Sequence, residues 1–193
     1  MKKVLIINGN PITNSFSRTI TDVYQSSAED ADAIVKTIHI AELDFDLSLR
    51  EGYKERQEME KDLVEATELI LWCDHIVWVH PVWWYGYPAI MKGFIDRTFL
   101  PHVTFKFEKG AVFQTKLLKG KTGRIIATGD SPYWYYRFVM KRPATNQLKK
   151  GTLEFCGIKP VKTTFFGPMN TASDKNRSKW LKEVARITVK DMS

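Results

Sequence analysis

The chain has 193 residues, 44% hydrophobic and 26% charged, with a net charge of +7. That size suits a single compact domain over residues 1–193, and the composition excludes both a disordered chain and a run of about eighteen apolar residues able to span a membrane. The positive charge is compatible with nucleic acid, anionic lipid or a phosphorylated cofactor. Lysine and arginine are nevertheless scattered, with only short pairs such as Lys141-Arg142 and Lys149-Lys150, and they do not alternate with aromatic residues, so no nucleic-acid partner is expected.

Lys2-Lys3 leads into the short apolar run Val4-Leu5-Ile6-Ile7, which breaks at Asn8-Gly9-Asn10-Pro11. An uninterrupted run of this kind predicts a strand buried on both faces. It lacks the small-residue cleavage site of a signal peptide, so a cytoplasmic location is expected. A helix capped by Ser15 or Ser17 follows, carrying Ile20, Val23 and Tyr24, and Ala33 to Ile40 reads as a second strand. From Tyr53 to Trp72 the apolar residues Met59, Leu63, Ala66 and Ile70 recur at helical spacing among many charges, predicting an amphipathic helix over that range.

The run His75 to His80 reads as a third strand and ends at Pro81-Val82-Trp83-Trp84-Tyr85-Gly86-Tyr87. Pro88 then stands where a first helical residue is favoured, opening a helix with Ile90, Phe94, Ile95 and Thr98. Lys121 to Thr128 predicts a fourth strand, Pro143 to Phe155 a helix closed by Gly157, Val161 to Phe166 a fifth strand, and Ser173 to Val189 a last helix. Pro101 to Lys119 and Gly129 to Arg142 read as long excursions. Strands alternating with helices predict an α/β doubly wound sheet, with ligands gathered at the carboxyl ends of its strands.

Those ends hold the chemistry. The segment from Asn8 to Ser17 offers amides, hydroxyls and backbone N–H groups at a helix start, an arrangement suited to phosphate, although it matches neither GxxxxGK[ST] nor GxGxxG. A helix N-terminus contributes roughly 0.3–2 kcal/mol to an anion, whereas micromolar binding needs about 8 kcal/mol. A flat ring buried on aromatic surface would supply the difference, and Trp83, Trp84, Tyr85 and Tyr87 sit at a strand end, where the alternative reading is an aromatic cluster closing a dimer interface. Gly86 is read as allowing close backbone approach to such a ring. Cys73 and Cys156 lie in apolar surroundings and read as reduced core thiols. The four histidines show no metal-ligand spacing, so no metal is expected.

The run Pro81-Val82-Trp83-Trp84-Tyr85-Gly86-Tyr87-Pro88-Ala89-Ile90-Met91-Lys92-Gly93-Phe94-Ile95-Asp96-Arg97-Thr98-Phe99 resembles the corresponding segment of flavodoxin-like NAD(P)H quinone oxidoreductases of the DT-diaphorase type. The resemblance extends to Ser15-Phe16, Ala127-Thr128-Gly129 and Phe155-Cys156-Gly157. That family includes bacterial quinone reductases and the ancillary flavoprotein subunits of potassium efflux systems. The resemblance implies a five-stranded parallel sheet in the order 2-1-3-4-5 and a tightly bound FAD or FMN. It implies hydride transfer from NADH or NADPH to quinones or similar flat electrophiles, and a homodimer. A regulatory flavoprotein docked on a membrane transporter is the alternative. Carried over by position, Ser15, Phe16 and Ser17 would surround the phosphate, with Asn10 standing where a histidine is often found. Pro81, Val82, Trp83, Trp84, Tyr85 and Gly86 would contact the isoalloxazine, and Thr128, Gly129 and Asp130 its pyrimidine side. The family's tyrosine–histidine pair is not intact, because no histidine follows Thr128-Gly129-Asp130-Ser131 nearby. Tyr135 aligns best as the catalytic tyrosine, and Tyr133 or Tyr136 could substitute.

Overall fold

The computed structural model describes residues 1–110 and 112–193. Five parallel strands form the central sheet: β1 (Lys3–Asn8), β2 (Ile34–His39), β3 (His75–Pro81), β6 (Thr122–Thr128) and β7 (Val161–Phe166), in the order β2-β1-β3-β6-β7. Counting these strands alone gives the order 2-1-3-4-5 expected from the resemblance. A two-stranded antiparallel ribbon, β4 (Phe105–Lys106) with β5 (Thr115–Lys116), stands apart within the first excursion.

Burial explains the order. Every residue of β3 is buried, as are five of the six in β1 and six of the seven in β6, which is what central parallel strands covered on both faces require. The edge strands β2 and β7 carry Lys36, Thr37, Lys162 and Thr163, and are only partly buried. One face of the sheet, with Leu5, Ile7, Ile76, Trp78 and Ile125, packs against α2 (Lys61–Trp72), α3 (Ala89–Thr98) and the helical run from Pro143 to Cys156. The opposite face, with Val4, Ile6, Val77, Val79 and Ile126, packs against α1 (Phe16–Glu29) and α6 (Asp174–Met192).

Two helices depart from the sequence reading. The helix expected over Tyr53 to Trp72 begins only at Lys61, because Glu60 is extended (φ −62°, ψ 155°) at its N-cap. The Glu60 carboxylate accepts from Arg97 Nη2 at 2.7 Å and from the Asp46 N–H at 3.0 Å. Arg97, itself buried, also donates to the Asp46 and Glu58 carbonyls at 2.6 and 2.9 Å. The segment before Lys61 is therefore tied to α3 as an irregular strap, and the helical spacing of Met59 is coincidental. Leu63, Ala66 and Ile70 are the buried face of α2. The second departure lies in Pro143 to Phe155, where α4 (Pro143–Asn146) widens into a π-helix over Gln147–Leu153 before α5 (Glu154–Cys156). Gly157 ends the run at φ +111°, a left-handed cap that a side chain would strain.

At the amino end of the sheet a buried polar cluster fastens α6. The Asp191 carboxylate accepts from Tyr24 Oη at 2.9 Å, Lys162 Nζ at 3.2 Å and both Arg124 Nε and Nη2. His75 completes it, with Nδ1 at 2.6 Å from Thr122 Oγ1 and Nε2 at 3.2 Å from Tyr24 Oη. Cys73 and Cys156 are free thiols buried in the core, and burial pushes the Cys73 thiol up to about 11. Among the described residues no helix is long and apolar enough to cross a membrane.

Candidate functional site

The loops after β1, β3, β6 and β7 meet at the carboxyl edge of the sheet. After β1 the backbone passes Gly9, whose N–H donates to the Val79 carbonyl at 2.8 Å. A Cβ there would lie 2.5 Å from Met91 Sδ, so a larger residue would need the Met91 side chain on α3 to move aside. The Asn8 side chain accepts the Asn10 N–H at 3.1 Å, the Asn10 side chain accepts the Ile12 N–H at 2.9 Å, and Asn10 Nδ2 donates to Ser17 Oγ at 3.1 Å. Asn10 and Ser17 are thus buried residues that shape the loop from within.

Ser15 is the N-cap of α1, its Oγ accepting the Arg18 N–H. The N–H groups of Phe16 and Ser17 have no backbone partner among the described residues, as the first turn of a helix requires, and are available to an anion. Phe16 is held from the far end of the chain: Trp180 packs on it at 6.2 Å and the Arg177 guanidinium lies 5.4 Å over its ring. Arg177 also donates to the Met169 carbonyl at 3.1 Å. This brings a cation beside the phosphate-suited helix start.

After β3 the chain makes a two-residue turn. Trp83 and Gly86 exchange both backbone hydrogen bonds, at 3.0 and 2.9 Å, and the central residues Trp84 and Tyr85 have φ of +50° and +58°. Positive φ at both central positions marks a type I′ turn, normally built from asparagine and glycine. The side chains at the turn's tip are thus retained against backbone strain, a feature that clusters at ligand clamps. Trp84 is 101% exposed, so packing within this chain does not account for it. The Trp83 N–H is consumed inside the turn, while those of Trp84 and Tyr85 have no backbone partner among the described residues. Gly86 is not at positive φ, and a Cβ there would meet only the Trp83 carbonyl at 3.6 Å, so the residues under strain are its two aromatic neighbours.

Beneath the turn lies His80, fully buried. Its Nδ1 donates to the Pro81 carbonyl at 2.9 Å, its ring meets Tyr87 edge-on at 5.9 Å, and Nε2 has no partner among the described residues. Burial pushes its pKa down to about 4, so the imidazole is neutral near pH 7. Val82 ties this loop to the next strand, donating to the Thr128 carbonyl at 2.7 Å.

After β6 the Gly129 N–H donates to the Phe166 carbonyl at 3.1 Å and its carbonyl accepts from Met169. The Asp130 carboxylate accepts the Asn170 N–H at 2.9 Å. Ser131 Oγ lies 3.2 Å from Tyr85 Oη, bridging the two loops. A cavity of about 190 Å³ opens between them, lined by Val82, Trp84, Tyr85, Gly129, Asp130, Ser131, Tyr136 and Phe165.

Seven of the sequence-predicted residues bound or directly support this cavity: Val82, Trp84, Tyr85, Gly129 and Asp130 line it, Pro81 pairs with Thr128 across β3 and β6, and Thr128 binds Val82. The tyrosines divide. Tyr136 is buried, stacked on Phe165 at 4.4 Å, with its hydroxyl 2.9 Å from Thr145 Oγ1 and accepting the Thr145 N–H. Tyr133 and Tyr135 do not line the cavity: Tyr133 stacks on Phe165 at 6.0 Å beneath Arg137, and Tyr135 packs edge-on to Trp134. Sequence reasoning missed Ser131, Phe165, Asn170 and Arg177. Ser131 alone carried a local signal, as a hydroxyl next to Gly129-Asp130.

The donors suit a flat heteroaromatic ring with an anionic tail: two N–H groups on an aromatic turn for ring carbonyls and nitrogens, and a helix start with an adjacent arginine for phosphate. A family model described as "Flavodoxin-like fold" matches residues 2–187. A Haemophilus influenzae protein named "Uncharacterized NAD(P)H oxidoreductase" is 29% identical over 191 residues, covering 95% of this chain and 93% of its own. An "FMN-dependent NADH:quinone oxidoreductase" from Caldicellulosiruptor bescii is 30% identical over 175 residues, covering 84% and 85%. Among solved structures, Smu.1420 from Streptococcus mutans superposes with a TM-score of 0.84 at 32% identity, covering 97% of this chain and 99% of that one.

Proposed function

Because the chain belongs to the flavodoxin-like fold family, we propose that it is a flavin-dependent NAD(P)H oxidoreductase that reduces quinones or similar flat electrophiles. The observation that carries this reading is the strained Trp83–Gly86 turn, which presents an exposed indole and two unclaimed N–H groups beside the cavity. The flavin, when bound, supplies two-electron hydride transfer between the nicotinamide and the acceptor. The chain's own residues do the rest. The Trp84 indole would cover the ring and the Trp84 and Tyr85 backbone N–H groups would donate to it, the Phe16 and Ser17 N–H groups with Arg177 would receive the phosphate, and Gly129 and Asp130 border the cavity's other wall.

FMN is the flavin and NADH the donor favoured by likeness to the Caldicellulosiruptor bescii protein. Purified protein is expected to be yellow, to release FMN on heating as identified by mass spectrometry, and to oxidise NADH when a benzoquinone is present. Colourless protein that neither FMN nor FAD can reconstitute would falsify the reading.

The same reading includes a homodimer. Phe107, Phe113, Trp134 and Phe138 are each at least 60% exposed on the two excursions, and apolar surface of that kind is covered in stable oligomers. Light scattering on a sizing column should give twice the chain mass, and a monomeric mass at micromolar concentration would remove this part.

A further inference from the structure

A quinone that takes up two electrons also takes up two protons. Hydride brings one of them, and the second must come from a group that can reach the acceptor, because an uncompensated oxyanion in a partly buried cavity is costly. The family's usual pair is absent here, and the structure narrows the substitutes. The Tyr136 hydroxyl is engaged with Thr145 on both sides, the Tyr87 ring is packed against His80, and Tyr133 and Tyr135 stand outside the cavity. Tyr85 is different. It lines the cavity, its backbone is held at φ +58° by the turn, and its hydroxyl lies 3.2 Å from Ser131 Oγ on the opposite wall. Ser131 is itself only half-buried and adjoins the exposed Asp130, so the hydroxyl pair runs from the cavity to solvent.

Resting on the function proposed above, we propose that the Tyr85 hydroxyl donates the proton that accompanies hydride transfer, with Ser131 as its positioning and reprotonating partner. In balanced form, the acceptor gains hydride at one position and a proton at its carbonyl oxygen. The Tyr85 O–H bond breaks as the acceptor O–H bond forms. The phenolate then takes the Ser131 proton while Ser131 takes one from water, which leaves the pair unchanged. NAD(P)H is the ultimate reductant, and the phenol exchanges only protons.

The test uses the FMN-loaded protein, reduced with one equivalent of NADH and mixed with each of two acceptors in a stopped-flow instrument. A benzoquinone needs the proton. Ferricyanide takes single electrons and no proton. Y85F, which keeps the ring, is expected to slow reoxidation by the quinone about 100-fold, with ferricyanide reoxidation unchanged. FMN affinity, read by fluorescence titration of the apoprotein, is expected to stay within about twofold. S131A should slow the quinone step less, and S131T should restore it. Wild-type quinone rates in Y85F would overturn the proposal. So would an equal loss with both acceptors, or FMN affinity weakened more than about tenfold, either of which would make the Tyr85 hydroxyl a cofactor contact and not a proton donor. Wild-type protein that neither binds FMN nor oxidises NADH would instead sink the proposed function, and this step with it.

Discussion

Trp84 and Tyr85 occupy backbone angles that cost an L-residue about 1–2 kcal/mol each, and Trp84 recovers none of that through packing, since it is fully exposed. Replacing it by glycine relieves the strain but adds a glycine's entropy to the unfolded chain, a cost of roughly 0.5–1 kcal/mol. W84G is therefore expected to leave the apoprotein as stable as before, or more stable by up to about 1 kcal/mol, in urea melts. Its FMN affinity should fall at least about tenfold in the same fluorescence titration. A clear loss of apoprotein stability would mean that the indole is held by the fold after all. The aromatic identity of this turn was legible in the sequence, because large rings at a strand end have no core periodicity, although Tyr87, read with Trp83, Trp84 and Tyr85, is buried in the core. Its strain was not legible: φ depends on the two hydrogen bonds exchanged by Trp83 and Gly86, and the glycine drew attention away from the residues that bear the cost.

Elements were legible wherever local chemistry decided them. The continuous apolar runs of β1 and β3, and the serine cap of α1, need no partner to be recognised. The start of α2 does need one. Arg97, more than thirty residues away, and the Asp46 N–H hold the Glu60 carboxylate and make that residue a cap rather than a helical one. The same holds for Arg177, which reaches the site because α6 packs beside α1 through Phe16 and Trp180. R177A is expected to weaken FMN binding by about 1 kcal/mol, close to fivefold, the scale of one charge at a helix start; unchanged affinity would assign the arginine to packing alone. The cap of the widened helix offers a test without ligand. A Cβ on Gly157 would meet Lys116 Cβ and the Lys119 nitrogen at 3.0 Å as well as adopt φ +111°. G157A should therefore lower the urea midpoint by an amount equivalent to about 2 kcal/mol. A midpoint within error of wild type would show that the cap relaxes freely.

For the molecule as a whole, two buried histidines set the response to acid. Burial is the main cause at both: it lowers His75 to about 4 against the opposing pull of Asp191, and lowers His80 to about 4 against its hydrogen bond to Pro81. A histidine unfolded near 6.5 and folded near 4 binds its proton more readily in the unfolded chain, so stability rises with pH across that window. The sign is thus loss of stability as pH falls from about 6.5 to about 4, by up to about 3 kcal/mol per histidine, with nothing gained above pH 7. At Asp191 burial raises the pKa, but Arg124 outweighs it and holds the carboxyl below its ordinary range. Its contribution is present above about pH 4 and disappears only in stronger acid. Urea midpoints across this range should trace a decline that H80F roughly halves; a flat profile in the wild type would show that neither histidine resists protonation.

The two buried thiols acquire a meaning from the chemistry proposed. Quinones are Michael acceptors as well as oxidants, and they arylate thiolates. A protein that turns them over presents its own cysteines to a reactive substrate at every cycle. Burial holds both thiols above their usual range, Cys73 at about 11 and Cys156 in the same direction, with side chains that are 0% and 1% exposed. The nucleophilic form is therefore scarce and covered. Native protein incubated with benzoquinone should keep its unmodified mass while urea-unfolded protein gains two adducts, and rapid arylation of the folded chain would show that the core opens to its substrate.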